Sequence, residues 1–163
     1  MRFACETATA ARAAVPRGVA LGARITGSDW LDGGVTAADA VALAAALKAL
    51  GLDYVDISSG GISSEARNPA EPGYNVGIAA AVRRDAGIVT RVVGLIVTAK
   101  QAEAIVADGK ADMVALARAV LDDPHWGWHA ARALGAEVKR PHQYLRAQPA
   151  MWPGAASALP VSG

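Results

Sequence analysis

The chain has 163 residues, 53% of them hydrophobic, which suits one globular domain with a packed core and excludes a disordered chain. Sixteen Lys and Arg against fifteen Asp and Glu leave a net charge of +1, mixed along the sequence, so there is no electrostatic footprint for nucleic acid or an anionic membrane surface. No apolar stretch reaches the length of a membrane span, the single Cys5 cannot form an intrachain disulfide, and Met1-Arg2-Phe3-Ala4-Cys5-Glu6 lacks the apolar core of a signal peptide; a cytoplasmic location is expected.

Helical and strand signals alternate from the first residues onward. Arg2 to Val15 is rich in Ala, a strong helix former, and is closed by Pro16. Val19 to Ile25 is a short apolar run of the kind found in parallel strands covered on both faces, and it carries one charge, Arg24, which needs a partner. Thr36-Ala37-Ala38-Asp39 signals a helix N-terminus with Asp in the place of the usual Glu or Gln, and that helix runs to Leu50 with Gly51 as its stop. Asp53 to Ile57 reads as the second strand. Ser58-Ser59-Gly60-Gly61 then opens a long loop through Pro69, Pro72 and Gly73.

Ile78 to Ala86 gives a third helix, Val89 to Ile96 a third strand, and Thr98 to Gly109 a fourth helix whose Ala102, Ile105 and Val106 share a face. Met113 to Ala117 is the fourth strand. Asp122-Asp123-Pro124 places an acid before proline at the entry to a last helix, which continues through Trp126 and Trp128 to Gly135. From Gln148 to Gly163 the chain turns to Pro, Gly, Ala and Ser, and this tail is expected to be disordered. The order α-β-α-β-α-β-α-β-α fits an open doubly wound sheet or part of an eightfold barrel; four strands are half of a closed barrel, which takes roughly 250 residues.

Val92-Val93-Gly94-Leu95-Ile96 and Met113-Val114-Ala115-Leu116-Ala117-Arg118 stand out for chemistry. Each is apolar and then stops in small residues, and the second stops at an arginine. Parallel strands present a phosphate in this way, with small residues where backbone must approach the ligand and a guanidinium to pair with it. Other constellations carry less. His125 and His129 share a helix face but lack a third ligand, so no metal is expected. Ser58 and Ser59 lack the Gly-x-Ser-x-Gly elbow. Asp53 and Asp56, three apart on a strand, point to opposite faces and make no acid–base pair.

Arg24-Ile25-Thr26-Gly27-Ser28-Asp29-Trp30, Gly51-Leu52-Asp53-Tyr54-Val55-Asp56-Ile57-Ser58-Ser59-Gly60-Gly61, Pro72-Gly73-Tyr74, Val93-Gly94-Leu95-Ile96, Ala111 to Arg118, Asp123-Pro124 and Gln143-Tyr144-Leu145-Arg146 resemble, in order, the C-terminal half of old yellow enzymes of the bacterial thermophilic-like class. The resemblance covers residues 1–147 and implies an FMN-binding half of a (β/α)8 TIM barrel, four parallel βα units long. The implied activity is that of an NAD(P)H oxidoreductase or ene-reductase acting on a small-molecule substrate. Met1-Arg2-Phe3 resembles an internal family segment, so the chain is expected to start inside the family's barrel. The family's proton-donating tyrosine and substrate-binding histidine pair have no match here, and no catalytic residue is expected.

By the same resemblance Arg24 reaches the flavin N1 and C2 carbonyl edge, where negative charge accumulates on reduction; the other reading of the residues pairs Arg24 with a strand neighbour such as Asp56. Gly94, Ala117 and Arg118 are implied at the FMN phosphate, with Ala117 standing where the family has glycine. Arg146 is implied to reach the active site of a neighbouring subunit. The competing expectation is a non-catalytic half barrel that self-associates or docks on a partner to cover its open edges.

Overall fold

A computed structural model of the chain describes residues 1–158. The chain divides into two units, one comprising residues 1–97 and 101–117 and the other residues 98–100 and the chain from Arg118 on. Up to Ala117, α1 (Arg2–Ala14) leads to β1 (Gly22–Thr26), α2 (Ala37–Ala49), β2 (Tyr54–Ser58), α3 (Val76–Ala86), β3 (Val89–Val92), α4 (Ala99–Ala107) and β4 (Met113–Val114). All three strand pairs are parallel, in the order β1-β2-β3-β4. Right-handed crossovers between strands taken in sequence order put every connecting helix on one face of the sheet. This is the pattern of a barrel segment, and it decides between the two architectures left open by the sequence.

The two faces of the sheet differ accordingly. Ile25, Val55, Ile57, Thr90 and Val92 are buried on one side, where Ala40, Ala44 and Leu47 of α2 and Ile78, Ala79 and Val82 of α3 complete the core. On the other, Arg24, Asp56, Arg91 and Met113 occupy one register row across the four strands. Arg24 and Met113 there are exposed. In a closed barrel this second face lines the interior.

The helix caps follow the local chemistry. Thr36 and Asp39 form the reciprocal capping box: the Asp39 N–H donates to Thr36 Oγ1 at 3.3 Å and the Thr36 N–H to Asp39 Oδ2 at 2.9 Å. Asp suffices where Glu or Gln is usual, because the capped turn brings its shorter side chain within reach.

Strand boundaries shift from expectation at several points, and β4 ends at Val114, not Ala117, because its ladder partner β3 itself stops at Val92. Val19 lies outside β1, in a turn whose N–H is held by the Pro16 carbonyl at 3.0 Å. Asp53 precedes β2 and uses its carboxylate to accept from the Leu21 N–H at 2.7 Å. Strand β3 stops at Val92, not Ile96, because Gly94 and Leu95 both take positive φ, 137° and 48°, which takes them off the ladder.

In the second unit the helix expected after Pro124 is α6 (Trp126–Ala133), and a short helix that the sequence reading did not anticipate, α5 (Arg118–Asp122), precedes it. A 3-10 helix (His142–Ala147) follows. Of the segment read as a tail, residues 148–158 form turns and α7 (Ala155–Ala158), with Ala155 buried; residues 159–163 lie outside the described residues. No helix among the described residues is long and apolar enough to cross a membrane.

Candidate flavin-binding face

Residues on a parallel strand's carboxyl end, and the loops that follow, are where α/β proteins build sites. Arg24 lies within β1 on the open face of the sheet. It is exposed, and its Nη2 donates to Ser58 Oγ on β2 at 2.6 Å. The strand-neighbour pairing considered for Arg24 is not formed: the Asp56 carboxylate meets Arg91 instead, Oδ2 to Nη2 at 3.2 Å. Arg24 therefore forms no salt bridge among the described residues. The pairing with Asp56 raises the Arg91 guanidinium above its ordinary value, the hydrogen bond outweighing the opposing effect of burial.

Gly94 follows β3 at the carboxyl edge. Its φ of 137° is a conformation that only glycine adopts readily, and an added Cβ would sit 3.0 Å from the Tyr74 ring and 3.1 Å from Asn75 Nδ2. The end of the long loop is docked on this turn: the Gly73 N–H donates to the Gly94 carbonyl at 2.9 Å, and Asn75 Nδ2 to the Val93 carbonyl at 2.8 Å. Glycine here thus has a packing reason as well as any ligand reason. Its own N–H has no hydrogen-bond partner among the described residues.

Ala117 lies three residues beyond β4, exposed and with negative φ, so alanine is unstrained where the family pattern has glycine. Its N–H too is unspent among the described residues. Arg118 is exposed at the first position of α5 and forms no salt bridge among the described residues; Arg146 is exposed in the 3-10 helix. Both belong to the second unit.

Further polar groups wait at the carboxyl edge of the first unit. Trp30 Nε1, after β1, and Ser59 Oγ, after β2, are buried without a partner. The Gly60 N–H ties these two loops by donating to the Ser28 carbonyl at 3.2 Å. Within the first unit, the unspent N–H groups and the Arg24 guanidinium suit an anionic ligand that also offers carbonyl acceptors, a chemistry that FMN shares.

His129 is engaged elsewhere, its Nδ1 lying 2.6 Å from Asp123 Oδ2, and His125 stacks on Trp128 with ring centroids 4.4 Å apart. Trp128, half-buried, also meets Tyr144 and lies under the Arg140 guanidinium. Sequence reasoning missed Arg91 and considered Asp56, the carboxylate it holds, as a partner of Arg24. A signal was present: Arg91 interrupts an apolar strand as Arg24 does, and carries the same demand for a partner.

A family model described as the NADH:flavin oxidoreductase / NADH oxidase family matches residues 1–137. Proteins named NADPH dehydrogenase are similar to the chain: that of Geobacillus thermodenitrificans is 43% identical over 123 residues, covering 76% of this chain and 36% of the relative. That of Listeria welshimeri is 39% identical over 124 residues with the same two shares. The chain spans about a third of the length, 36%, of these curated relatives.

Proposed function

Because the chain belongs to the NADH:flavin oxidoreductase / NADH oxidase family, we propose that it supplies the C-terminal half of an FMN-binding barrel in an NAD(P)H-dependent oxidoreductase, with residues 1–147 as the flavin-binding segment. Bound FMN would supply the redox chemistry, accepting a hydride from NAD(P)H and passing it to an electron-poor alkene. Arg24 stabilises negative charge at the N1 and C2 carbonyl edge. Gly94 and Ala117 offer backbone N–H groups to the phosphate, and Arg118 pairs with it. Arg146 extends toward a neighbouring subunit. A cytoplasmic location, where NAD(P)H is at hand, accompanies this reading.

The observation that carries the proposal is the freedom of Arg24. A buried carboxylate stands beside it in register, yet is committed to Arg91. Titration of the purified chain with FMN, followed by flavin fluorescence and the visible spectrum, tests it. Saturable binding, weakened roughly tenfold or more in Arg118→Ala, is expected, since a charge-assisted contact contributes about 1.5–3 kcal/mol. A folded chain that leaves the flavin spectrum unchanged would sink the reading.

A second reading rests on the one-sided sheet. With helices on one face only, and β1 and β4 as free parallel edges, a half barrel that self-associates or docks on a partner covers what is otherwise open.

A further inference from the structure

Strand β2 presents Tyr54, Asp56 and Ser58 on the open face, two residues apart, between the arginines of β1 and β3. By backbone register Asp56 is a neighbour of both Arg24 and Arg91, and its short side chain serves one. The flanking residues sort the two. Below, the Tyr54 ring lies 5.4 Å from the Arg91 guanidinium carbon, a cation–π contact that holds Arg91 at the level of Asp56. Above, Ser58 Oγ accepts from Arg24 Nη2 and draws that guanidinium toward the carboxyl edge.

We propose that Arg91 is a positioning residue for the flavin: by holding Asp56 it keeps the carboxylate off Arg24, and so leaves the Arg24 charge uncompensated for the reduced isoalloxazine. This rests on the proposed FMN site. Asp56, with its side chain 5% exposed, is out of reach of solvent screening, so whichever arginine it faces is largely neutralised. Asp56 Oδ1 and Arg91 Nε, both buried without a partner, show that the pair is held through one oxygen and one nitrogen, which leaves a carboxylate oxygen that a turn toward Arg24 would satisfy. Removing Arg91 removes what stops it.

The test measures the relative affinity for oxidised and reduced FMN in Arg91→Met, Asp56→Asn and the double variant, alongside unfolding by urea without flavin. In Arg91→Met the preference for reduced FMN falls about tenfold, a drop of about 30 mV in the two-electron midpoint potential. Adding Asp56→Asn restores it, because the carboxylate that Arg91 restrained is gone. A role in packing alone would not be rescued this way. Ser58→Ala, which releases Arg24 from above to compete with Arg91 for the Asp56 carboxylate, lowers the potential in the same direction and covers the case that Arg91→Met does not fold.

An unchanged potential in Arg91→Met, or in Ser58→Ala where Arg91→Met does not fold, overturns the proposal, as does a loss that Asp56→Asn fails to cancel. If the wild-type chain does not take up FMN, the functional reading falls and the unfolding measurements decide the sorting separately. In the wild type, Asp56 couples to Arg91 by roughly tenfold in the unfolding constant, and coupling to Arg24 appears only once Arg91, or Ser58, is substituted. Absence of that new coupling overturns the proposal.

Discussion

Arg24 and Gly94 occupy similar places in the sequence reading, yet the structure gives them different weight. Arg24 has a free charge and an open face, and its substitution acts on the ligand: Arg24→Ala should weaken binding of reduced FMN by roughly tenfold or more while oxidised FMN is affected less, as measured by potentiometric titration. Gly94 is required by the fold itself. With φ at 137° and Tyr74 and Asn75 packed against its α-carbon, Gly94→Ala should cost about 1–3 kcal/mol in urea denaturation, with or without flavin. A variant that lost FMN with full stability would show that the Gly94 turn yields to a side chain. Ala117 differs again: being exposed and unstrained, Ala117→Gly should leave stability within about 0.5 kcal/mol in the same assay.

Among the elements, β4 is the shortest strand at two residues, and side-chain chemistry fastens it where the backbone ladder is brief. Asp112, just before it, accepts from the Thr90 N–H at 2.9 Å and from Arg83 Nε at 2.9 Å, joining β3 and α3 to the start of β4. Burial would raise the Asp112 carboxyl, but the hydrogen bonds from Thr90 and Arg83 outweigh it and hold the group below the usual carboxylate range. Its contribution to stability is therefore present above the unfolded value of about 3.9 and is lost as pH falls through the lower folded value. Asp112→Asn should cost about 1–2 kcal/mol at pH 7 in chemical denaturation, and the gap to wild type should close as pH is lowered through the Asp112 transition. A gap that persisted in acid would assign the loss to packing. At α2, Thr36→Ala removes half of the capping box and should cost about 1 kcal/mol in the same assay.

At the largest scale, the first unit carries a sheet finished on one side only. Arg24, Val89 and Met113 are exposed on the face that a closed barrel turns inward, and β1 and β4 each have an edge unpaired among the described residues. The purified chain should associate with itself, seen as a weight-average mass that rises with concentration in sedimentation velocity. A single monomeric species across that range would show that the open face is tolerated in water.

Periodicity, caps and breakers made the order of helices and strands legible in the sequence, because each depends on residues within a turn or two of one another: the alanine-rich run before Pro16, the Thr36–Asp39 box and the apolar strands of one side-chain period. The motifs from Arg24 to Arg118 carried the family likewise, since they are linear. Strand ends were less legible. Where β3 stops is decided by Gly94 and by the loop residues Gly73 and Asn75 that bond to its turn from some 20 positions away. Which arginine holds Asp56 was settled in three dimensions. All three residues could be read from the chain, but register set them in one row, and the Tyr54 ring and the Ser58 hydroxyl, two residues to either side, assigned the carboxylate to Arg91 and left Arg24 free. A pairing of that kind depends on distances across strands, which no spacing along the chain encodes.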